Sequence, residues 1–316
     1  MHDECDDPSE MFSFWGAEDE LSTSSLEYVE VISSLESGSY FGRYKVITRL
    51  GSGGMGTVYK VYDPQLKKDV ALKLIISADK ASQESTERFI REAKTTATLQ
   101  HPYIIKVYHF GHESGQPYFS MELIEGKSLK DYVKTESNYK QIIQVFIKIC
   151  EAMHYAHRCG VVHRDLKPDN IMVKDQNPCI MDFGLAKVSV KNKKISHTGM
   201  VMGTLQYMSP EQAQGLVSFI DERSDIYSLG CILYYMLVGR PPFIEKGVYS
   251  FHFMYKILAK EPASLSTYKS DVPESLQKIC TKALAKNKEF RYQNVAQMLY
   301  DLKEVQNLLS DEKHKF

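Results

Sequence analysis

No run in this chain reaches the roughly 18 apolar residues that a membrane-spanning helix needs. The nearest approach, the uncharged stretch from Ile226 to Gly239, suits a buried core helix. The start is acidic and lacks the basic stretch and apolar core of a secretory signal. Six cysteines (Cys5, Cys150, Cys159, Cys179, Cys231, Cys280) show none of the CxxC or CxxH spacing of zinc sites or redox pairs. Free thiols in a reducing compartment, and so a cytoplasmic protein, are the expectation. Residues 1–39 have eleven Asp and Glu but no Lys or Arg, so the overall charge of −1 hides a remainder with 39 basic and 29 acidic residues, or +10. Such a segment repels itself and stays extended. It also holds the single tryptophan, Trp15, between Phe12, Phe14 and a run of acids. A solvated leader and a segment that docks on the basic body or a partner are both open readings.

What is present is a chain of 316 residues, 43% of them hydrophobic, enough for one large two-part domain or two small ones. Tyr44, Val46 and Leu50 alternate with Lys45 and Arg49, the pattern of a half-buried strand. Glycines at 51, 53, 54 and 56 interrupt it, alternation resumes over Thr57 to Tyr62, and Val70 to Ile75 supplies a third strand. A helix is predicted over Phe89 to Leu99, and strands over Tyr103 to Tyr108 and Tyr118 to Leu123. Beyond Gly126 the period changes. Ile142, Ile143, Phe146, Ile149, Cys150 and Met153 recur at three and four residues in a helix that ends at Gly160. Further helices are predicted over 226–238, 251–258, 276–284 and 295–309. A β-rich first third and a helical remainder make an α+β architecture in two lobes.

The most informative string is His163-Arg164-Asp165-Leu166-Lys167-Pro168-Asp169-Asn170, followed by Asp182-Phe183-Gly184. It gathers a proton acceptor, a cation able to reach a phosphate and two metal-binding side chains within twenty residues. Gly51-x-Gly53-x-x-Gly56 alone is a weak signal shared with dinucleotide-binding folds, but Gly56 leads into a strand rather than a helix, and no Lys-Ser/Thr pair follows it. A hairpin covering a phosphate is the better reading. Together these residues resemble the protein kinase family. Gly51-Ser52-Gly53-Gly54-Met55-Gly56, Lys167 two places after Asp165, and Leu205-Gln206-Tyr207-Met208-Ser209-Pro210-Glu211-Gln212 look closest to its bacterial-type serine/threonine branch. The resemblance runs from about Tyr44 to Leu309.

That resemblance implies a bilobal kinase fold: an acidic extension over 1–39, an antiparallel β-sheet N-lobe over 40–124, a larger helical C-lobe over 125–310 and a short tail over 311–316. It implies ATP with Mg²⁺, or Mn²⁺ as a substitute, and protein substrates with Ser or Thr acceptors. Nucleic acid and a membrane span are not expected, and a transient dimer would serve trans-autophosphorylation. ATP would be held by Leu50, Gly51, Ser52, Gly53, Gly54, Met55 and Gly56, by Val58 and Ala71 against adenine, and by Lys73 on the phosphates with Glu92 orienting it. Met121, Glu122 and Ile124 would form the hinge at the adenine edge, with Met172 beneath the ring. Asp165 would align the acceptor hydroxyl, Lys167 would offset γ-phosphate charge, and Asn170 and Asp182 would bind metal. Phe183 would pack under the helix carrying Glu92. Glu211 would pair with Arg291, and Asp225 would hold the backbone around residue 164. Arg164 would bind a phosphate on Thr198 or Ser196, although Lys187, Lys191, Lys193 and Lys194 nearby also fit a plain solvated loop. An ATP-binding pseudokinase is the alternative function, and a small-molecule phosphotransferase a more remote one.

Overall fold

Alternation in the first third produces an antiparallel sheet, seen in the computed structural model of the chain, which describes residues 35–53, 56–75, 98–136, 138–183, 205–244 and 251–311. Its strands are β1 (Tyr40–Phe41), β2 (Tyr44–Gly53), β3 (Gly56–Asp63), β4 (Lys68–Ile75), β5 (Val107–Glu113) and β6 (Gln116–Met121), in the order β1-β2-β3-β4-β6-β5. One face packs Phe41, Tyr44, Val46, Tyr59, Val61, Val70, Leu72, Leu74 and Tyr118 into a core. Each such side chain, fully buried, is worth about 1.5–3 kcal/mol. The alternation predicts Leu50 on that face, but it is 50% exposed. Register shifts between Val46 and Thr48 and between Arg49 and Gly51 break the alternation, as bulges do.

The strand predicted over 103–108 lies instead at Val107–Glu113. Ser114 and Gly115, with φ of 50° and 75°, form the tight turn into β6, because positive φ at both turn residues matches the twist of the strands. Residues 103–105 bind a different sheet: Ile180 donates its amide to the Tyr103 carbonyl at 2.8 Å, and Ile105 donates to the Ile180 carbonyl at 2.9 Å. The described residues accordingly fall into two compact units, one formed by those within 35–75 and 106–123, the other by those within 98–105 and 124–311. The helix predicted over 89–99 lies outside the described residues apart from its end.

The second unit holds β7 (Lys127–Ser128), α1 (Leu129–Thr135), α2 (Tyr139–Arg158), β8 (Ile171–Lys174), β9 (Asn177–Ile180), α3 (Pro210–Ala213), α4 (Glu222–Val238), α5 (Phe251–Ala259), α6 (Glu274–Ala283) and α7 (Val295–Asp311). The inward stripe of α2 includes Ile142, Ile143, Phe146, Ile149, Cys150 and Met153, all essentially inaccessible to solvent. Helix α4 is buried nearly all round, as its uncharged sequence requires. It begins four residues before Ile226, at an Asp221 cap that accepts from the Arg223 amide, and ends at Gly239 with φ 73°, the left-handed C-terminal conformation glycine adopts without strain. A Cβ on Gly230 would lie 2.8 Å from the Ala283 Cβ, so α4 and α6 approach closely because this position has no side chain. Cys150, Cys179, Cys231 and Cys280 are buried free thiols. The free-thiol expectation holds for these four.

Candidate active site

In the first unit the strand period sorts the candidate residues. Val58 pairs with Lys73, and Lys73 with Phe119; Ala71 pairs with Met121. Directly paired residues point to one side of a sheet, so Val58, Ala71, Lys73 and Met121 share the face opposite the core. Lys73 is only 6% exposed, with its ammonium 5.8 Å from the centre of the Phe119 ring. Gly53 pairs with Gly56 to close the hairpin, and a Cβ on Gly56, at φ 149°, would collide with the Leu74 carbonyl. Leu50, Gly51, Ser52 and Gly53 lie exposed along the end of β2. The Glu122 amide already donates to the Lys106 carbonyl at 2.9 Å. Of the Glu122 backbone groups, the carbonyl is therefore the one available to an adenine edge. Gly54, Met55 and Glu92 lie outside the described residues.

In the second unit the informative string folds around one buried carboxylate. Asp225, 1% exposed, accepts from the amides of His163 (Oδ2) and Arg164 (Oδ1), both at 2.8 Å. His157 Nε2 lies 2.8 Å from its Oδ2. Burial would raise the Asp225 pKa, but the His157 hydrogen bond, the His157 and His163 charges and the Arg164 amide hold it below the usual carboxylate value. Asp225 is a residue of the first turn of α4, and Asp221 is the cap. His163 packs against the fully buried Phe183, ring centres 4.6 Å apart and ring planes inclined at 44°, and its Nε2 lies 2.9 Å from the Met181 carbonyl.

On this support the loop presents Asp165, 7% exposed. Lys167 Nζ donates to its Oδ2 at 2.8 Å, and Asn170 Nδ2 donates to its carbonyl oxygen at 2.8 Å and to Oδ2 at 3.2 Å. Pro168 opens the single 3-10 turn that brings Asn170 back to Asp165, since its missing N–H costs nothing at a first helical position. The Met181 amide donates to the Asn170 carbonyl at 2.8 Å, which ties the residue before Asp182 to the same loop. Asp182 has φ 60°, a left-handed conformation unusual outside glycine. Met172 sits half-buried on β8, opposite Cys179 and Ser128. Asp169 pairs with Lys130 at 2.7 Å. Ile124 is the first residue of the second unit after the crossing from Leu123. Ser196 and Thr198 lie outside the described residues.

Arg291 Nη1 and Nη2 donate to Glu211 Oε1 and Oε2 at 2.8 and 2.9 Å, the expected pair. Ser224 Oγ donates to Glu211 Oε1 at 2.6 Å, and the carbonyls of Ala285, Arg223 and Lys286 take the other Arg291 donors. Burial alone would raise the Glu211 pKa, and these Arg291 and Ser224 contacts bring it below the ordinary value. Two residues here have no role assigned from the sequence. His157 sits at the end of an apolar helix pattern, where nothing local marks it as a partner of residue 225. Gln212 was legible in principle, because Ser209-x-x-Gln212 has the spacing of a helix capping box.

Comparisons with known proteins bear on the family and the fold. A family model described as a protein kinase domain matches residues 44–302. The serine/threonine-protein kinase PknB of Mycobacterium tuberculosis is 40% identical over 274 residues, 84% of this chain and 43% of the relative. PrkC of Bacillus subtilis is 36% identical over 265 residues, 83% and 40% of the two chains. This chain thus spans less than half the length of the curated relatives it matches. Among solved structures, the Mycobacterium tuberculosis PknI kinase domain aligns with a TM-score of 0.68 at 26% identity, covering 86% of this chain and 98% of that one. The family match includes the sheet bearing Lys73 and the loop bearing Asp165, and on that extent the chain belongs to the protein kinase family.

Proposed function

We propose that this chain transfers the γ-phosphate of ATP to serine and threonine hydroxyls of proteins. The observation that carries the reading is the Asp165 carboxylate, nearly buried yet gripped by Lys167 and Asn170 on a loop anchored to Asp225. A carboxylate held in one orientation suits the alignment and acceptance of a hydroxyl proton. Lys167, at hydrogen-bonding distance from it, is in position to offset charge on a phosphoryl group beside that hydroxyl. Lys73 on its sheet face is suited to the α and β phosphates, with Val58, Ala71 and Met121 around the base. Intact mass and site mapping after incubation with Mg-ATP test this. Failure to phosphorylate either itself or Ser/Thr peptides would leave an ATP-binding pseudokinase instead.

Family membership implies a divalent cation, and the donors here fit Mg²⁺, with Mn²⁺ as a substitute. Among the described residues no group of three or more His, Cys, Asp or Glu converges on a metal position. The candidates are one amide and one carboxylate, Asn170 and Asp182, linked through the hydrogen bond from Met181 to Asn170. Asn170 Nδ2 is committed to Asp165, which leaves the side-chain oxygen Oδ1 for a cation. So sparse a set of hard oxygens suits Mg²⁺, which keeps waters and substrate phosphates as its other ligands. Asp182→Ala is expected to weaken Mg-dependent nucleotide binding as well as turnover. Titration of ATP with and without Mg²⁺ checks it, and equal Mg-dependent affinity in variant and wild type would remove Asp182 from the ligand set.

Thr198, with Ser196 second, is the proposed autophosphorylation site, and a transient dimer the means. A phosphate carries about −1.5 to −2 charge and three acceptor oxygens, which suits a guanidinium such as Arg164 next to Asp165. Thr198→Ala is expected to lower turnover far more than nucleotide affinity. An unmodified Thr198 in fully active protein would overturn this activation route.

A further inference from the structure

Helix α3 is four residues long, yet it makes a contact that its capping function does not require. Ser209 Oγ accepts from the Gln212 amide at 3.4 Å, while Gln212 Oε1 accepts from the Ser209 amide at 3.0 Å and from Ser209 Oγ at 3.1 Å. That reciprocal box uses only the carbonyl end of the glutamine. The other end, Nε2, donates to the Arg164 carbonyl at 2.7 Å. A glutamate would close the same box, but its second oxygen would face the Arg164 carbonyl, acceptor against acceptor. The second contact, and not the cap, is what calls for an amide here.

Arg164 is a residue whose backbone needs holding. Its φ is 68°, and for a side chain larger than Gly or Asn that left-handed conformation is strained and persists only where the surroundings impose it. Its amide is held by Asp225 Oδ1 at 2.8 Å, and its carbonyl by Gln212. That carbonyl belongs to the peptide plane whose other end is the Asp165 amide, itself directed at His163 Nδ1 at 3.3 Å. Rotation of this plane would therefore swing Asp165. The clamp is itself fixed, because Glu211, the neighbour of Gln212, is bound by Arg291 and Ser224.

We infer that Gln212 is a positioning residue for Asp165, acting through the Arg164–Asp165 peptide, and that it mechanically couples the segment at 209–213 to the proton-accepting carboxylate. The inference rests on the proposed kinase activity. Misplacement of a reacting group by about 1 Å can cost up to roughly 100-fold in rate. Gln212→Glu keeps the box and so keeps the fold. It is expected to lower kcat about 10- to 100-fold, with the Kd for ATP unchanged and a fall in Tm small enough to leave the protein folded in the assay.

The introduced carboxyl supplies a signature that a purely structural role lacks. Facing a carbonyl, it would regain a donor on protonation. The ratio of variant to wild-type kcat should therefore rise as pH falls from 8 towards the ordinary glutamate pKa of about 4.3. The other ionisable groups packed here, among them Arg164, Asp165, Lys167, Glu211, Asp225 and His157, are common to both proteins, so a difference between the two pH profiles is traced to the introduced carboxyl. Hydrogen exchange over residues 163–170, run on the same two proteins at pH 7, should be faster in the variant. Equal kcat at every pH would overturn the inference. So would a kcat loss that tracks a fallen Tm and does not vary with pH. If wild type itself transfers no phosphate, the kinase reading fails, and unchanged hydrogen exchange in the variant separately overturns the clamp.

Discussion

Asp165→Asn is expected to reduce phosphoryl transfer by about 10² to 10⁴, the usual contribution of a proton-transfer residue, with ATP affinity retained. Asparagine has the same shape but cannot take a proton from an acceptor hydroxyl. Its carbonyl oxygen can still receive the Asn170 hydrogen bond made now at 3.2 Å, so the loop should keep its form. Lys167 loses an ionised partner and keeps an acceptor. The nucleotide-facing candidates of the first unit, Lys73 and Ala71 among them, are untouched. Steady-state turnover together with an equilibrium ATP titration measures both halves of the expectation. Near-normal turnover in a folded variant would remove Asp165 from this role.

Arg291→Met should give the largest loss of stability, about 3–5 kcal/mol for a buried ion pair reduced to one partner. The loss comes less from the attraction forgone than from Glu211, left ionised in a site with a side-chain exposure of 8%. Five guanidinium hydrogen bonds go with it, two to Glu211 and three to carbonyls of residues 223, 285 and 286. Replacing Glu211 and Arg291 together by apolar residues should cost less than the single change, because no lone charge remains. The pH dependence follows from the depressed Glu211 pKa. A carboxyl lowered on folding stabilises above its unfolded pKa, and the contribution is lost as pH falls through the folded value. In Arg291→Met the same carboxyl is raised, so it protonates first and the gap from wild type narrows on acidification. Thermal melts between pH 7 and pH 4 test this, and a gap that stays constant would mean that Glu211 is not the buried charge responsible.

Much of the first unit was legible because a strand reports itself locally. Side chains repeat every two residues, so Ala71 and Lys73 share a face wherever that strand lies. The places where this reading failed are those where the alternation is broken by something non-local. Bulges turned Leu50 outwards, and pairing with residue 180 drew 103–105 away from the strand predicted there. The string from His163 to Asn170 was legible as chemistry because its residue types and spacing are so restrictive.

The sequence by itself determined the α+β organisation, the helix periods and which side chains are candidates for moving a phosphate, because periodicity and residue type are properties of neighbours along the chain. Only the tertiary structure decided how those groups are held. That Asp225, 60 residues beyond Asp165, binds the amides of His163 and Arg164, that His157 shares that carboxylate, and that Gln212 reaches back to the Arg164 carbonyl are matters of which buried polar groups find partners when α2, α3 and α4 pack together. A buried donor or acceptor left unpaired costs about 1–3 kcal/mol. Its partner is chosen by proximity in the fold, and distance along the chain carries no record of that choice.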